Sequence, residues 1–134
     1  MKALIVYSRF NEDVTTPLVE ECVKGFVEQG LEPKVVDVPG AVEIPLMISR
    51  LLDREPFDCV VALGCIIKGD TEHYDAVCEM CAAGIMDVML TSGIPIVFEV
   101  LMVDDKQKAL DRISKGYHAA FVATEMAAKL KFEA

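Results

Sequence analysis

The sequence predicts an α/β fold in which a four-stranded parallel sheet carries helices on both faces. Four apolar segments are predicted as strands, at residues 2–7, 34–38, 58–67 and 94–101. Segments with helical spacing of apolar residues alternate with them, and this alternation is typical of parallel strands joined by crossover helices. The third segment, CVVALGCII, has no charged residue, as expected for a strand buried on both faces. Right-handed crossovers then give a three-layer, doubly wound, flavodoxin-like architecture.

The helical segments are recognised by the spacing of their apolar residues and by their end signals. In the first, apolar residues recur at helical spacing from Val14 to Phe26, and Gly30 ends the pattern. The others are predicted over residues 41–55, 71 to about 90, 104–114 and 116–131. Pro45 is compatible with the second helix because it lies in the first turn. With 134 residues and no linker or repeat, we expect one domain over residues 1–134.

Composition narrows the classes of partner and the compartment. A net charge of −9 argues against nucleic acid and against an anionic membrane as general partners. The start, MKALIVYS, turns polar too soon for a signal peptide, and no apolar run approaches the ~20 residues that span a bilayer. The five cysteines are odd in number and lie in apolar periodic segments, which predicts reduced thiols and a cytoplasmic protein. Cys78 and Cys81 form a CxxC pattern in mid-helix, for which we predict a packing role.

Polar residues follow each predicted strand, at the edge of the sheet where doubly wound folds bind ligands. They are residues 8–11, 39–43, 68–73 and the segment after Phe98. Gly69 relaxes the chain, Asp70 or Thr71 can cap the next helix, and free N–H groups there suit an anion. His73 in the first turn can exchange protons near pH 7. The alternative for this stretch is a capped helix with a solvated histidine.

Two aromatic residues and one acid are further candidates for ligand binding. Phe10 lies in a polar loop, where it either stacks on a planar ligand or folds back onto the core. Glu43 follows a Pro-Gly turn, and it either grips hydroxyl groups of a ligand or simply favours the start of a helix. Phe98 lies inside an apolar strand, so its pattern favours a core position.

Arg112 and Lys115 flank a predicted helix end in the segment DRISKG. A basic pair of this kind suits a phosphate group. It equally suits the negative C-terminal end of a helix, and both interpretations stay open.

Five blocks of the sequence, in order, resemble the lumazine synthase family. They are SRFN, VPGAVEIPL, ALGCIIKGDTEHYDAV, GIPIVFEVL and the helical segment at residues 109–112. The resemblance covers nearly the whole chain. It implies the penultimate reaction of riboflavin biosynthesis: 5-amino-6-ribitylamino-pyrimidinedione and 3,4-dihydroxy-2-butanone 4-phosphate condense to 6,7-dimethyl-8-ribityllumazine, phosphate and water. It implies no metal and no other cofactor.

The resemblance also implies roles for matching residues on the pyrimidine side of the site. Phe10 matches the aromatic side chain that stacks on the pyrimidine ring. The turn that holds the ribityl chain in the family is matched by Gly40, Ala41, Val42 and Glu43. Glu43 matches the residue that bonds the ribityl hydroxyls. Ile66 and Ile67 match the strand end whose backbone contacts the heterocycle.

On the phosphate side, the resemblance implies a second set of roles. Gly69, Asp70 and Thr71 match the phosphate-binding turn, and His73 matches the proton-transfer histidine. Arg112 matches the arginine that grips the phosphate, and Lys115 is the candidate for the site lysine. Phe98 matches an aromatic side chain that a neighbouring subunit supplies to the site. The arginine that Arg112 matches is also supplied by a neighbouring subunit. The family pattern is therefore a homopentamer with sites between subunits, in some members built into a sixty-subunit icosahedral shell.

Two other classes of function compete with the enzyme. One is a carrier that holds a flavin or a lumazine without turnover. The other is a self-assembling shell protein derived from the same fold, which two departures from the family pattern would suit. Glu99 stands where the family commonly has glycine, and the loop after Arg112 is shorter. The combination of His73 and Arg112 favours the enzyme, because a carrier needs no acid–base group.

Overall fold

The computed structural model describes residues 1–69 and 73–133 and contains one parallel sheet. Its strands are Ala3–Ser8 (β1), Lys34–Val38 (β2), Cys59–Ile67 (β3) and Ile96–Val103 (β4). They lie in the order β2-β1-β3-β4, and every neighbouring pair is parallel. The predicted four-stranded, flavodoxin-like α/β fold is therefore confirmed. The strand order reverses between β1 and β3, so the connections that leave them turn to opposite faces of the sheet, α1 to one and α3 to the other, and a crevice is expected between them.

In the described residues, five α-helices and one 3₁₀ turn connect and cover the strands. The helices are Glu12–Glu28 (α1), Ile44–Arg54 (α2), His73–Ser92 (α3), Lys106–Leu110 (α4) and Lys115–Phe132 (α5), and the 3₁₀ turn is Ala41–Glu43. Acidic Glu12 and Asp13 lie in the first turn of α1, where the helix dipole favours them. Gly30, predicted as the stop of the same helix, has φ 78°, the left-handed conformation that glycine adopts easily after a helix end.

Apolar side chains fill both faces of the sheet in two separate clusters. Odd-numbered residues of β3, such as Val61 and Leu63, pack with α1 and α5. Even-numbered residues, such as Val60 and Ala62, pack with α2 and α3. Both sets are buried because β3 is an inner strand with helices on either side. Each large apolar side chain buried in this way contributes roughly 1.5–3 kcal/mol of transfer free energy.

Several predicted elements have shifted bounds, and two of the shifts have an identifiable cause. The strand predicted at residues 94–101 lies at Ile96–Val103, because Pro95 has no N–H for the ladder and offers only its carbonyl, which accepts from the amide of Val60 at 2.9 Å. The helix predicted at 104–114 is shortened to Lys106–Leu110. Asp105 caps its start by accepting from the amide of Lys108 at 2.9 Å, and turns replace the helix after Leu110.

Within residues 1–69 and 73–133, no helix is both long and apolar enough to cross a bilayer.

Candidate functional site

A cleft of about 650 Å³ opens at the carboxyl ends of β1 and β3, on the face of the sheet covered by α2 and α3. This is the crevice expected where the strand order reverses, and its size is that of a small-molecule site. Four segments that are distant in sequence line it: residues 10–11, 40–43, 65–69 and the first turns of α3. The cleft therefore joins three of the polar stretches that the sequence places after strands.

The turn between β1 and α1 forms one wall of the cleft. Phe10 is 71% exposed, so its ring lies at the mouth and does not fold back onto the core. Asn11 follows with φ 65° and ψ 53°, and its side-chain amide donates a hydrogen bond to the carbonyl of Cys65 at 2.9 Å. Of the two alternatives left open for Phe10, the structure has the exposed one.

The turn between β2 and α2 forms a second wall. Gly40, Ala41, Val42 and Glu43 all line the cleft, as the sequence blocks suggest. The carboxylate of Glu43 folds back over Gly40, where an added Cβ would lie 3.1 Å from Oε1. A side chain at position 40 would therefore force this carboxylate to shift.

The end of β3 forms the floor. Ile66 is buried, Ile67 is half-buried, and both line the cleft. Gly69 also lines it, in open space with no atom within 4 Å of an added Cβ. Asp70 and Thr71 lie outside the described residues, so the anion-binding turn stays a prediction.

His73 begins α3 and lines the cleft with an exposed side chain. The same helix contributes Tyr74, Ala76, Val77 and Met80, none of which we had predicted as site residues. A signal for most of them exists in the sequence: Ala76, Val77 and Met80 follow His73 at helical spacing, so they share its face of the helix. The helical period counted from His73 would have found them.

The remaining candidates lie away from the walls of this cleft in the described part of the chain. Phe98 is on the edge strand β4 and is 36% exposed, so the core position favoured by its pattern is only partial. Arg112 donates from Nη1 to the carbonyl of Lys108 at 2.7 Å, which satisfies a carbonyl in the last turn of α4. Arg112 therefore makes the contact expected of a basic side chain at the negative C-terminal end of a helix.

Lys115 begins α5, and its charge acts on Glu99 of β4. Glu99 is half-buried, and burial raises the pKa of its carboxyl, while the positive charge of Lys115 lowers it by a smaller amount. Lys115 therefore partly compensates a carboxylate that lies in an unfavourable environment.

The cysteines near the cleft are poor nucleophiles. Cys65 lines the floor, and burial raises the pKa of its thiol to about 11. Burial also raises the pKa of the Cys81 thiol to about 12. Because the thiolate is the reactive form, neither thiol is activated for nucleophilic chemistry near neutral pH.

The chemistry available in the cleft follows from these groups. Phe10 offers a flat apolar surface, Glu43 and neighbouring backbone groups offer hydrogen bonds, and His73 offers an imidazole. Within the described ranges, no group of three or more His, Cys, Asp and Glu side chains is placed to hold a metal ion. The arrangement suits a planar molecule with hydroxyl groups and a reaction that moves protons.

Comparison with known proteins identifies one family and several solved structures of similar fold. The family model described as 6,7-dimethyl-8-ribityllumazine synthase matches residues 1–131. Among solved structures, a flavone reductase has a TM-score of 0.57 and 12% identity, with 100% of this chain covered. The chain spans 65% of the length of that reductase. A flavodoxin from the domain Archaea has a TM-score of 0.45 and 13% identity, covering 92% of this chain and 99% of its own. At 12% identity, the similarity to the reductase concerns the fold alone.

Proposed function

This chain belongs to the 6,7-dimethyl-8-ribityllumazine synthase family of riboflavin biosynthesis, and from that premise we propose that it is the transferase that makes the lumazine. The substrates are 5-amino-6-ribitylamino-pyrimidinedione and 3,4-dihydroxy-2-butanone 4-phosphate. The products are 6,7-dimethyl-8-ribityllumazine, phosphate and water. One observation carries the proposal: a single cleft gathers Phe10, the turn from Gly40 to Glu43, the end of β3 and His73.

The pyrimidine substrate fits the wall and floor nearest β1 and β2. Its ring stacks on Phe10, whose side chain is exposed at the mouth. Its ribityl hydroxyls donate to the carboxylate of Glu43, which lies over Gly40. Val42 and Ala41 line the same wall, and the backbone of Ile66 and Ile67 meets the edge of the heterocycle.

The phosphorylated substrate binds at the opposite end, beside Gly69 and the start of α3. Gly69 leaves room for an anion close to the chain, and Asp70 and Thr71 complete the turn. With a net charge of −9, the chain needs local cations for this anion, and Arg112 and Lys115 are our candidates. Both lie off the cleft wall of their own chain, so a neighbouring copy supplies them.

That arrangement implies a homo-oligomer with sites between copies. We propose a homopentamer in which Phe98, exposed on the edge strand, and Arg112 of one copy complete the cleft of the next. The further step to a sixty-subunit shell stays a prediction. We place the protein in the cytoplasm, which suits five free cysteines, and we treat residues 1–134 as one domain.

The reaction is a series of proton transfers and eliminations. The 5-amino group attacks the ketone, and loss of water gives an imine. Loss of phosphate leaves an enol, whose ketone tautomer is attacked by the ribitylamino nitrogen, and loss of a second water closes the ring. His73 takes and returns the protons, because an imidazole can act both as a general acid and as a general base. Holding both molecules in register supplies up to ~7–11 kcal/mol in ideal cases.

A direct assay tests the proposal. The purified protein is mixed with both substrates, and lumazine absorbance and phosphate release are followed together. We expect equal amounts of lumazine and phosphate at a rate well above the spontaneous reaction. Tight binding of a lumazine or flavin with no turnover above that background would support a carrier and contradict the enzyme.

A further inference from the structure

The turn that carries Phe10 is tied to both neighbouring strands of the sheet. On one side, the amide of Arg9 donates to the carbonyl of Val38 at 2.8 Å, and its guanidinium donates to Asp37 at 2.6 Å. On the other side, the side-chain amide of Asn11 donates to the carbonyl of Cys65 at 2.9 Å. Phe10 lies between these two ties with its ring in solvent. The ring itself has little packing to hold it, so the two ties fix the backbone from which it projects.

Asn11 has an unusual backbone for a residue with a side chain. It is the one non-glycine residue with positive φ in the described part of the chain. Its carbonyl accepts from the amides of Val14 at 2.9 Å and Thr15 at 3.0 Å, so α1 starts from this conformation. Asparagine tolerates the left-handed region better than most residues, but the conformation still costs free energy. The hydrogen bond to Cys65 is the contact that offsets this cost on the side of the cleft.

The two ties differ in strength. The Arg9–Asp37 pair is solvated, with side-chain exposures of 47% and 45%, and such pairs contribute little. The Asn11 bond is part-buried and reaches a carbonyl on β3, across the point where the strand order reverses. Because Asn11 and Cys65 both line the cleft, this bond also sets the distance between its wall and its floor.

We propose that Asn11 is a positioning residue for substrate binding, whose side-chain amide clamps the turn to β3 and so holds the ring of Phe10 over the cleft. The inference rests on the proposed function in one respect, the stacking of the pyrimidine on Phe10. Asn11 acts through Phe10 and needs no contact with the substrate. Its loss therefore weakens binding of the aromatic substrate and leaves the phosphorylated one unaffected.

Three substitutions separate the clamp from the backbone conformation. Asn11→Gly keeps the left-handed backbone at no steric cost and removes the clamp. Asn11→Asp keeps the shape and replaces the donor by a carboxylate that repels the carbonyl of Cys65. Asn11→Ala removes the clamp and strains the backbone as well. Asp37→Asn is the matched control, because it weakens the exposed tie on the other side of the same turn.

The first measurement reports the ring directly and does not depend on activity. The sequence has no tryptophan, so Phe10→Trp introduces a single fluorescent reporter at the ring position. We expect time-resolved anisotropy to show a restrained indole in Phe10→Trp and a larger amplitude of fast motion when Asn11→Gly is added. Adding Asp37→Asn should change the amplitude much less. Equal amplitudes with and without Asn11→Gly would overturn the inference.

The second measurement uses the Phe10 protein and its two Michaelis constants. Asn11→Gly and Asn11→Asp should raise KM for the pyrimidine roughly two- to ten-fold, the range of one hydrogen bond. The KM for the phosphorylated substrate and the thermal midpoint of Asn11→Gly should stay near the wild-type values. Equal increases in both KM values would assign Asn11 a general structural role and overturn the inference. The protein could lack turnover while Asn11→Gly still increases the fast motion of the Phe10→Trp indole. That result would contradict the proposed reaction and would still support the positioning role of Asn11.

Discussion

The two faces of the sheet are built differently, and the difference separates stability from function. On the first face, α1 and α5 pack closely through small residues. The buried residues of α5 are Gly116, Ala119, Ala120, Ala123 and Ala127. On the second face, α3 buries only Cys81 and Ile85 among its twenty residues. The first face has a close helix–helix contact, although the outer surface of α5 also exposes large apolar side chains such as Phe121, Val122 and Met126. The second face carries the cleft, and most residues of α3 are not fully buried.

The close approach on the first face depends on glycine. A Cβ added at Gly25 would lie 2.6 Å from the carbonyl oxygen of Tyr117, and one added at Gly116 would overlap the carbonyl oxygen of Leu18. Backbone atoms cannot move aside as a flexible side chain can. Substitution on this face should therefore change stability, whereas substitution in the cleft should change binding and catalysis.

The largest expected effect is a difference in thiol reactivity between the faces. Cys22 on α1 is fully buried, and burial raises the pKa of its thiol to about 12, whereas Cys78 on α3 is half-buried. At pH 8 we expect iodoacetamide to label Cys78 at least ~10³-fold faster, because Cys22 must wait for the core to open. Mass spectrometry of the native protein over time measures both rates. Comparable rates would mean that the α1/α5 face opens readily, and the contrast between faces would fail.

Replacement of the cleft histidine should have the next largest effect. His73→Gln keeps a polar side chain and removes the group that transfers protons, so kcat should fall by about 10²-fold or more. The free energy of unfolding should change by less than ~1 kcal/mol, because His73 is exposed. His118→Gln is the matched control, since it replaces the other histidine of the chain, exposed on α5. Similar kcat values for the two variants would contradict the role of His73.

A methyl group at Gly116 tests the other face. Gly116→Ala should lower the free energy of unfolding by about 1–3 kcal/mol, because α1 and α5 must separate to admit it. Gly69→Ala provides the control for stability, since an added Cβ meets nothing within 4 Å there. Urea denaturation of both variants gives the comparison. A stable Gly116→Ala protein would show that the α1/α5 contact is looser than its geometry indicates.

The smallest expected effect comes from the exposed tie beside the cleft. The Arg9 guanidinium holds the pKa of Asp37 below its usual value. A lowered pKa in the folded state means that this stabilisation is present above the unfolded pKa of about 4 and is lost as the pH falls through the lower, folded value. The small difference in urea midpoint between wild type and Asp37→Asn should therefore shrink below pH 4. A difference that persists or grows in acid would contradict this assignment.

The sequence predicts the fold well because strand burial and helix spacing are local patterns. Residues 34–38 match β2, and the predicted bounds of β1 and β3 differ from the observed ones by one residue at the ends. The predicted bounds of β4 are wrong by two residues at each end, because the apolar run continues through Val103 and Pro95 decides where pairing begins. The pattern of apolar residues predicts where a strand can lie, but it does not show at which residue backbone pairing begins.

The site is predicted less completely, because its parts meet only through tertiary structure. Phe10, Glu43 and His73 follow from position after strands, and they do line one cleft. The bond from Asn11 to Cys65 joins residues 54 apart in sequence, and no local pattern announces it. The relation of Arg112 and Phe98 to the cleft depends on further copies of the chain, and it stays a prediction.

The central claim is that the cleft on the face covered by α2 and α3 binds the pyrimidine substrate, whereas the packed contact between α1 and α5 does not. Amide hydrogen exchange with and without the ribitylamino-pyrimidinedione tests it most directly. We predict slower exchange at residues 40–43 and 65–67 on binding, and unchanged exchange across Gly116–Ala127 of α5. Protection confined to α1 and α5, with none in the cleft segments, would contradict the account.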